Sequence, residues 1–483
     1  MKKATFILLF VNLFWFQAFS QNPPKREFRA AWLATYANID WPSVGASTAT
    51  EQSTYIQRME EHRITGMNAV FVQIRSQCDA MYPSPFEPWS ADLTGTQGAA
   101  PNPYYDPLEF MITETRKKGM EFHAWFNPYR ALANASSGNL AALHSSHVIN
   151  QNPEWIMSAG TQRILNPGIP AVWDYVIKVV MDVVRRYDVD GIHFDDYFYP
   201  YPSYNLNEDF PDDQSWKSYQ DKGGKLSRGD WRRESVNTLI QRLYKEIKAE
   251  KNYVKFGLSP FGIWRPGYPE SIEGFDQYDQ LYADARLWLN KGWIDYFTPQ
   301  LYWDVNRIPQ SFPVLLGWWA SENLMNRHLW PGISVYKGGG EKNNDETINQ
   351  IMISRGMLPK SKGTIHWSIT ALIKNDSLSK ALLDGPYKKP ALVPATPWLD
   401  NKAPAAPVAK TSLMGENVNV SWNHPDENDV FRWVVHYKYG NNWDYRVLNA
   451  ADRSLTLTQK VMLPLTASQK ATGSTSSTSI SLN

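Results

Sequence analysis

Eight times between residues 28 and 368 the chain passes from a short strand-like run into a helical one, and this alternation limits its fold more than any other feature. The runs are "FRAAWLAT" (Phe28–Thr35), "NAVFVQIR" (Asn68–Arg75), "EFHAWF" (Glu121–Phe126), "DGIHFD" (Asp190–Asp195), "VKFGLS" (Val254–Ser259), "DYFTPQLY" (Asp295–Tyr302), "PGISVY" (Pro331–Tyr336) and "TIHWS" (Thr364–Ser368). The clearest helix between them opens at Asp106. That residue stands as N-cap before Pro107 and Glu109, and Gly119 is the stop. "PAVWDYVIKVVMDVVRRY" (Pro170–Tyr187) carries its apolar residues at helical spacing. Strands that alternate with helices pair in parallel through helical crossovers. Eight such units close a (β/α)8 TIM barrel, an α/β fold, expected here over residues 26–390.

The two ends of the chain read differently. "MKKATFILLFVNLFWFQAFSQ" has a basic start (Lys2, Lys3), an apolar stretch from Ala4 to Phe16 and a small-x-small site at Ala18–Ser20. This predicts a signal peptide over residues 1–20. The apolar stretch is short for a membrane span, and no cysteine stands at the cleavage site for a lipid anchor. The expected location is therefore the periplasm or the medium, with no membrane span after processing. Residues 391–405 form a Pro/Ala-rich linker. Beyond it, over residues 406–483, "NVNVSW", "FRWVVHYK" and "SLTLTQ" alternate apolar and polar residues as half-buried strands do. This segment resembles a short, fibronectin type III-like β-sandwich, an all-β module that ends in a Ser/Thr-rich tail. Cys78 is the only cysteine, so an internal disulfide is excluded. Lys and Arg number 49 against 48 Asp and Glu, with no basic tract, which argues against a nucleic-acid partner.

In such a barrel the chemistry lies at the C-terminal strand ends, and side-chain parity decides what reaches the axis. On the fourth run His193 and Asp195 share the inner side, while Ile192 and Phe194 face the helices. Asp196 follows in the loop. Gln300, Tyr302 and Asp304 share a parity on the sixth run, as do His123, Trp125 and Asn127 on the third. Gln73 and Arg75 on the second and Ser334 and Tyr336 on the seventh complete the set, and the small Gly257 and Ser259 on the fifth leave room for a ligand. Two carboxylates amid aromatic rings are what glycosidic-bond hydrolysis requires. The expected pair is Asp195 with Asp304 as general acid, Asp196 being the alternative partner and His193 helping to hold Asp195. Arg75, Arg130, His123, Asn127, Gln300, Tyr302 and Tyr336 are expected to bind substrate. Trp125, Tyr129, Tyr197, Trp264 and Trp303 are expected to rim the cleft. The 21 Trp and 25 Tyr suit sugar faces as well as cores. The bland counterpart is that strand-end acids cap helices or pair with Arg75 or Arg130. No metal or other cofactor is expected: the twelfth position of a calcium loop starting at Asp188 is Tyr199, and His144 and His147 lack further ligands at a standard spacing.

Eight segments taken together resemble the glycosyl hydrolase-like 10 family of bacterial exported proteins. They are "REFRAAWLATYANIDWPS", "NAVFVQIRSQCDAMYPSPFEPWS", "YDPLEFMI", "FHAWFNPYR", "DGIHFDDYFYP", "FGLSPFGIWRP", "DYFTPQLYWD" and "PGISVYK", within Arg26 to Leu372. The resemblance implies a (β/α)8 barrel, glycosidase activity and bacterial wall glycan, that is peptidoglycan strands, as substrate. "DGIHFDDY" is also similar to the family 18 chitinase strand D-G-x-D-x-D-x-E, but Tyr197 stands where that family has its catalytic Glu. The competing expectation is therefore a non-catalytic glycan-binding protein on the same scaffold.

Overall fold

The structure is a computed structural model that describes residues 26–335, 341–402, 405–426, 430–439 and 442–458. The expected signal peptide, Tyr336 and the Ser/Thr-rich tail lie outside the described residues. Nine parallel strands form the main sheet: β1 (Phe28–Leu33), β2 (Ala69–Arg75), β3 (Glu121–Phe126), β4 (Gly191–Phe194), β5 (Lys255–Leu258), β6 (Tyr296–Phe297), β7 (His328–Leu329), β8 (Gly332–Ser334) and β9 (Gly363–Trp367). Their order is β7-β6-β5-β4-β3-β2-β1-β9-β8. The two outermost strands, β7 and β8, are separated in the chain only by Trp330 and Pro331. Gly332 also bridges Gln300, and the Leu301 N–H donates to the Gly332 carbonyl at 2.9 Å. The sheet thus curls until its ends meet, in a TIM-barrel-like arrangement. Of the run expected from Pro331, Gly332–Ser334 is the strand, and Pro331, which has no N–H for the ladder, separates it from the short β7 that precedes the run. Pro299 shortens β6 in the same way.

Parity sorts the side chains into two cores. Ile192, Phe194, Val70, Val72, Phe122 and Ala124 face outward and pack with helices such as α1 (Pro107–Lys117) and α2 (Pro170–Arg186). Each fully buried side chain of this kind is worth roughly 1.5–3 kcal/mol. The Asp106 carboxylate caps α1, accepting from the Leu108 and Glu109 N–H groups at 3.0 and 3.2 Å, and Gly119 beyond its end has φ 65°. Inside the curl lie Phe28, Ala30, Trp32, Phe71, Trp125, Tyr296, Trp330 and Ile365. Below them Lys255 pairs with Glu121 at 2.7 Å, and Glu121 in turn bonds His123 at 3.1 Å. The space expected at Gly257 is filled: a Cβ there would meet the Tyr296 ring at 2.2 Å. The missing side chain admits that ring rather than a ligand.

Of the stretch expected as a linker, Ala391 to Trp398 packs at the lower mouth of the barrel. The Glu27 N–H donates to the Leu392 carbonyl at 2.8 Å, and the Asn68 amide donates to the Ala391 carbonyl at 3.0 Å. Val393 joins the interior cluster, and the Trp398 indole N–H donates to Asp295 at 2.8 Å. Glu27, Asn68 and Asp295 precede β1, β2 and β6, so this segment closes the end opposite the strand C-termini. A small all-β module follows, with β10 (Val408–Met414), β11 (Asn417–Asn423), β12 (Arg432–Tyr439), β13 (Asn442–Asn449) and β14 (Ser454–Thr458). It has a sheet β10-β11-β14 and a hairpin β12-β13 around Val420, Trp422, Trp433 and Val435. The Tyr445 hydroxyl ties it to the barrel by donating to the Pro390 carbonyl at 2.8 Å.

Candidate active site

Asp195 and Asp196 follow β4 directly, at the C-terminal end of the sheet. There the chain turns, with the Phe198 N–H donating back to the Asp196 carbonyl at 3.1 Å. The turn releases the two residues from strand alternation, so both side chains line one cavity. The cavity holds about 470 Å³, and Trp32, Trp125, Tyr197, Tyr201, Ser259, Gln300, Tyr302 and Trp367 complete most of its wall.

Asp195 is 4% exposed. Its Oδ2 accepts from the Trp125 indole N–H at 3.0 Å and the Asn127 amide at 3.2 Å, while Oδ1 accepts from the Tyr197 N–H at 3.4 Å. The Asn127 oxygen accepts from the Arg130 N–H at 2.9 Å, which fixes the amide nitrogen toward Asp195. Burial, and then the neighbouring charge of Asp196, push the Asp195 carboxyl up to about 7, against the opposing pull of Arg130 and the Trp125 bond. Asp196 accepts from the Tyr201 hydroxyl and bonds Gln300, and burial raises its pKa as well. Arg130 makes no direct ion pair with either acid. Its guanidinium donates to the Ser76 carbonyl at 3.1 Å and lies over the Tyr36 and Tyr197 rings at 4.5 and 4.9 Å, a fixed positive charge beside the pair.

His193 lies beneath the cavity and does not hold Asp195. Its Nε2 accepts from the Trp32 indole N–H at 3.1 Å, which assigns the proton of the neutral ring to Nδ1. Ser259 bonds the same nitrogen at 2.9 Å, and Tyr296 bonds Nδ1 at 3.4 Å. Burial lowers the pKa of His193 well below its ordinary value, so the ring is neutral and steadies the cavity floor.

Of the residues expected to bind or rim, Trp125, Tyr197, Gln300 and Tyr302 line the cavity. Arg75 does not: it is fully buried, and its guanidinium grips the Glu87 carboxylate at 2.7–3.0 Å while another nitrogen donates to the Asn127 carbonyl. It shapes the loop that carries Asn127. His123 is enclosed in the barrel interior, bonded to Glu121 and Tyr296. Tyr129 is fully buried in the outer core. Trp264 stacks on Trp318 and donates to Asp284 at 3.2 Å. Trp303 packs edge-on against Phe261. Asp304 begins the turn that the Arg307 N–H closes, and it is not in the wall of this cavity. Trp32 and Trp367 were not foreseen, although inward parity on the first and eighth runs is the signal that could have found them. Tyr201, beyond the end of the fourth run, carries no such signal. Among the described residues no three His, Cys, Asp or Glu side chains gather as a metal site would need, and no helix is long and apolar enough to cross a membrane.

The chain is 41% identical to glycosyl hydrolase YngK of Bacillus subtilis (strain 168) over 455 residues, 90% of this chain and 86% of that protein. It is 39% identical to glycosyl hydrolase DigH of Escherichia coli (strain K12) over 335 residues, 65% of this chain and 74% of that protein. Among solved structures, the PgaB (BpsB) glycoside hydrolase domain from Bordetella bronchiseptica matches with a TM-score of 0.50 at 12% identity, over 74% of this chain and 98% of that domain. That likeness concerns the fold. Residues 27–349, from the start of the barrel to beyond β8, match the glycosyl hydrolase-like 10 family, and the chain belongs to that family.

Proposed function

We propose that the protein is an exported glycoside hydrolase that cleaves a bacterial polysaccharide, with peptidoglycan glycan strands as its substrate. It would work on an eight-stranded barrel whose seventh strand is split into β7 and β8. The observation that carries this is the pair of buried carboxyls, Asp195 and Asp196, side by side in one aromatic-walled cavity. Two close carboxyls cannot both ionise freely, so one keeps its proton when the other is charged. Asp195, held near 7, is the general acid that protonates the leaving oxygen, the role expected for Asp304. Asp196 is the partner that stays ionised. The cavity volume suits a bound sugar, and tryptophan and tyrosine faces stack on sugar rings. The glycosyl hydrolase names of the relatives support the same reaction class. The fibronectin type III-like module would position the barrel on the polymer.

The test is incubation of the purified chain with peptide-free peptidoglycan glycan strands and analysis of the released saccharides by mass spectrometry. Wild type should shorten the strands, and Asp195→Asn should lower turnover by about 10²–10⁴-fold, the range of a lost acid catalyst. Strands that bind but are never cut would favour the glycan-binding reading instead.

A further inference from the structure

We infer that the nucleophile of this site is the substrate itself: the bond cut follows a 2-acetamido sugar, whose acetyl group sits against Trp32, Trp125 and Trp367 and whose carbonyl oxygen attacks the anomeric carbon. The inference rests on the hydrolase reading above and goes beyond it in mechanism and in the sugar required at the cut.

Three observations lead to it. First, both carboxyls come from consecutive residues at one strand end, β4. The strands on the other side of the cavity, β1 and β9, contribute Trp32 and Trp367, and no third carboxylate is among the described residues of its wall. Displacement by a protein carboxylate needs the two acids on opposite faces of the sugar, and among the described residues the face away from the acid holds no protein nucleophile. Second, the tryptophans form an apolar corner. Trp367 meets Trp32 and Trp125 edge to face, each at 6.2 Å between centroids. The Trp32 and Trp125 N–H groups are already taken by His193 and Asp195. A sugar hydroxyl pressed there would lose its hydrogen bonds, whereas an acetyl methyl has none to lose. Third, the neighbouring acids supply the two functions this chemistry needs, a proton donor and a nearby carboxylate.

The first step forms a bond from the acetamido oxygen to C1 as the bond from C1 to the leaving oxygen breaks. Asp195 gives its proton to that oxygen. The ring formed carries positive charge, shared with its N–H, and the Asp196 carboxylate accepts a hydrogen bond from that N–H. In the second step water attacks C1, Asp195 takes the water proton, and the bond from C1 to the acetamido oxygen breaks. The acetamide is restored, and the sum is hydrolysis with retention at C1.

The test uses the full chain and peptide-free glycan strands in three forms: native, de-N-acetylated, and de-N-acetylated then N-trifluoroacetylated. Fluorine leaves the size of the acyl group nearly unchanged and weakens its oxygen as a nucleophile. The expected result is cleavage of native strands, a kcat lower by about a hundredfold or more on trifluoroacetylated strands at similar KM, and no cleavage of the free amines. Native and trifluoroacetylated strands cut at rates within about threefold, or amines cut as well as either, would overturn the inference and leave the hydrolase reading standing. Failure to cut any of the three would overturn both.

Discussion

Asp195→Asn should make the protein more stable at alkaline pH while it removes turnover. In the folded chain burial and Asp196 move the Asp195 carboxyl from its ordinary 3.8 to about 7. Between those values the native state keeps a proton that the unfolded chain has released. Native stability contributed at this position is therefore full below 3.8, falls as pH rises through the window, and levels off above about 7. The gap corresponds to roughly 4 kcal/mol, at about 1.4 kcal/mol for each tenfold change in the proton equilibrium. Asp196 shares that cost, and the amide accepts hydrogen bonds from Trp125 and Asn127 less strongly than a carboxylate does. A net gain of about 1–3 kcal/mol for the variant at pH 8 is the expected remainder. Thermal unfolding of both proteins at several pH values provides the assay. The variant should melt above wild type at pH 8, and its advantage should shrink steadily toward pH 4. In parallel, the wild-type kcat/KM should fall as pH rises past about 7, because the acid is lost. A melting difference independent of pH would refute the reasoning, since it would mean that the carboxyl ionises in the folded chain as it does in water.

Other outcomes follow from neighbouring contacts. Trp125→Phe removes an N–H donor from ionised Asp195, worth about 1.5–3 kcal/mol, so the alkaline limb of the rate profile should move up by about one to two pH units; an unmoved limb would contradict the contact. Asp304→Asn should cost far less turnover than Asp195→Asn, and equal losses would return the general-acid role to Asp304. Glu87→Gln leaves Arg75 buried without its counter-charge and should lower stability by about 3–5 kcal/mol in chemical denaturation, and an unaffected midpoint would show that the pair contributes little. A chain ending at residue 390 lacks Leu392, Val393 and Trp398 and should melt well below one ending at Asp400; equal melting of the two would mean that the lower plug is dispensable.

Side-chain alternation is a local property of an extended chain, and it was legible without any knowledge of packing. Ile192 and Phe194 face the helices, and His193 faces inward, because neighbouring Cβ atoms on a strand point opposite ways. The cap at Asp106 is equally local, since a carboxylate need reach only two or three residues along its own chain. The partners of the inward groups were not legible. The Arg75 side chain could have faced a sugar, but Glu87 folds back to meet it. Gly257 could have left a hole, but Tyr296 from the next strand fills it. Leu392 and Val393 sit in a proline-rich stretch that reads as a linker, yet the open mouth of the barrel buries Val393, and Val434 and Tyr445 of the β module bury Leu392. Asp195 could be placed at a strand end from the sequence, but its proton affinity could not, because that depends on how much water remains around it. The curl of the sheet decided this: it brings Trp32 and Trp367 from the two ends of the barrel sequence into the wall of the cavity that Asp195 lines, and burial there, with the charge of Asp196, is what raises the carboxyl and turns a polar corner into a candidate acid.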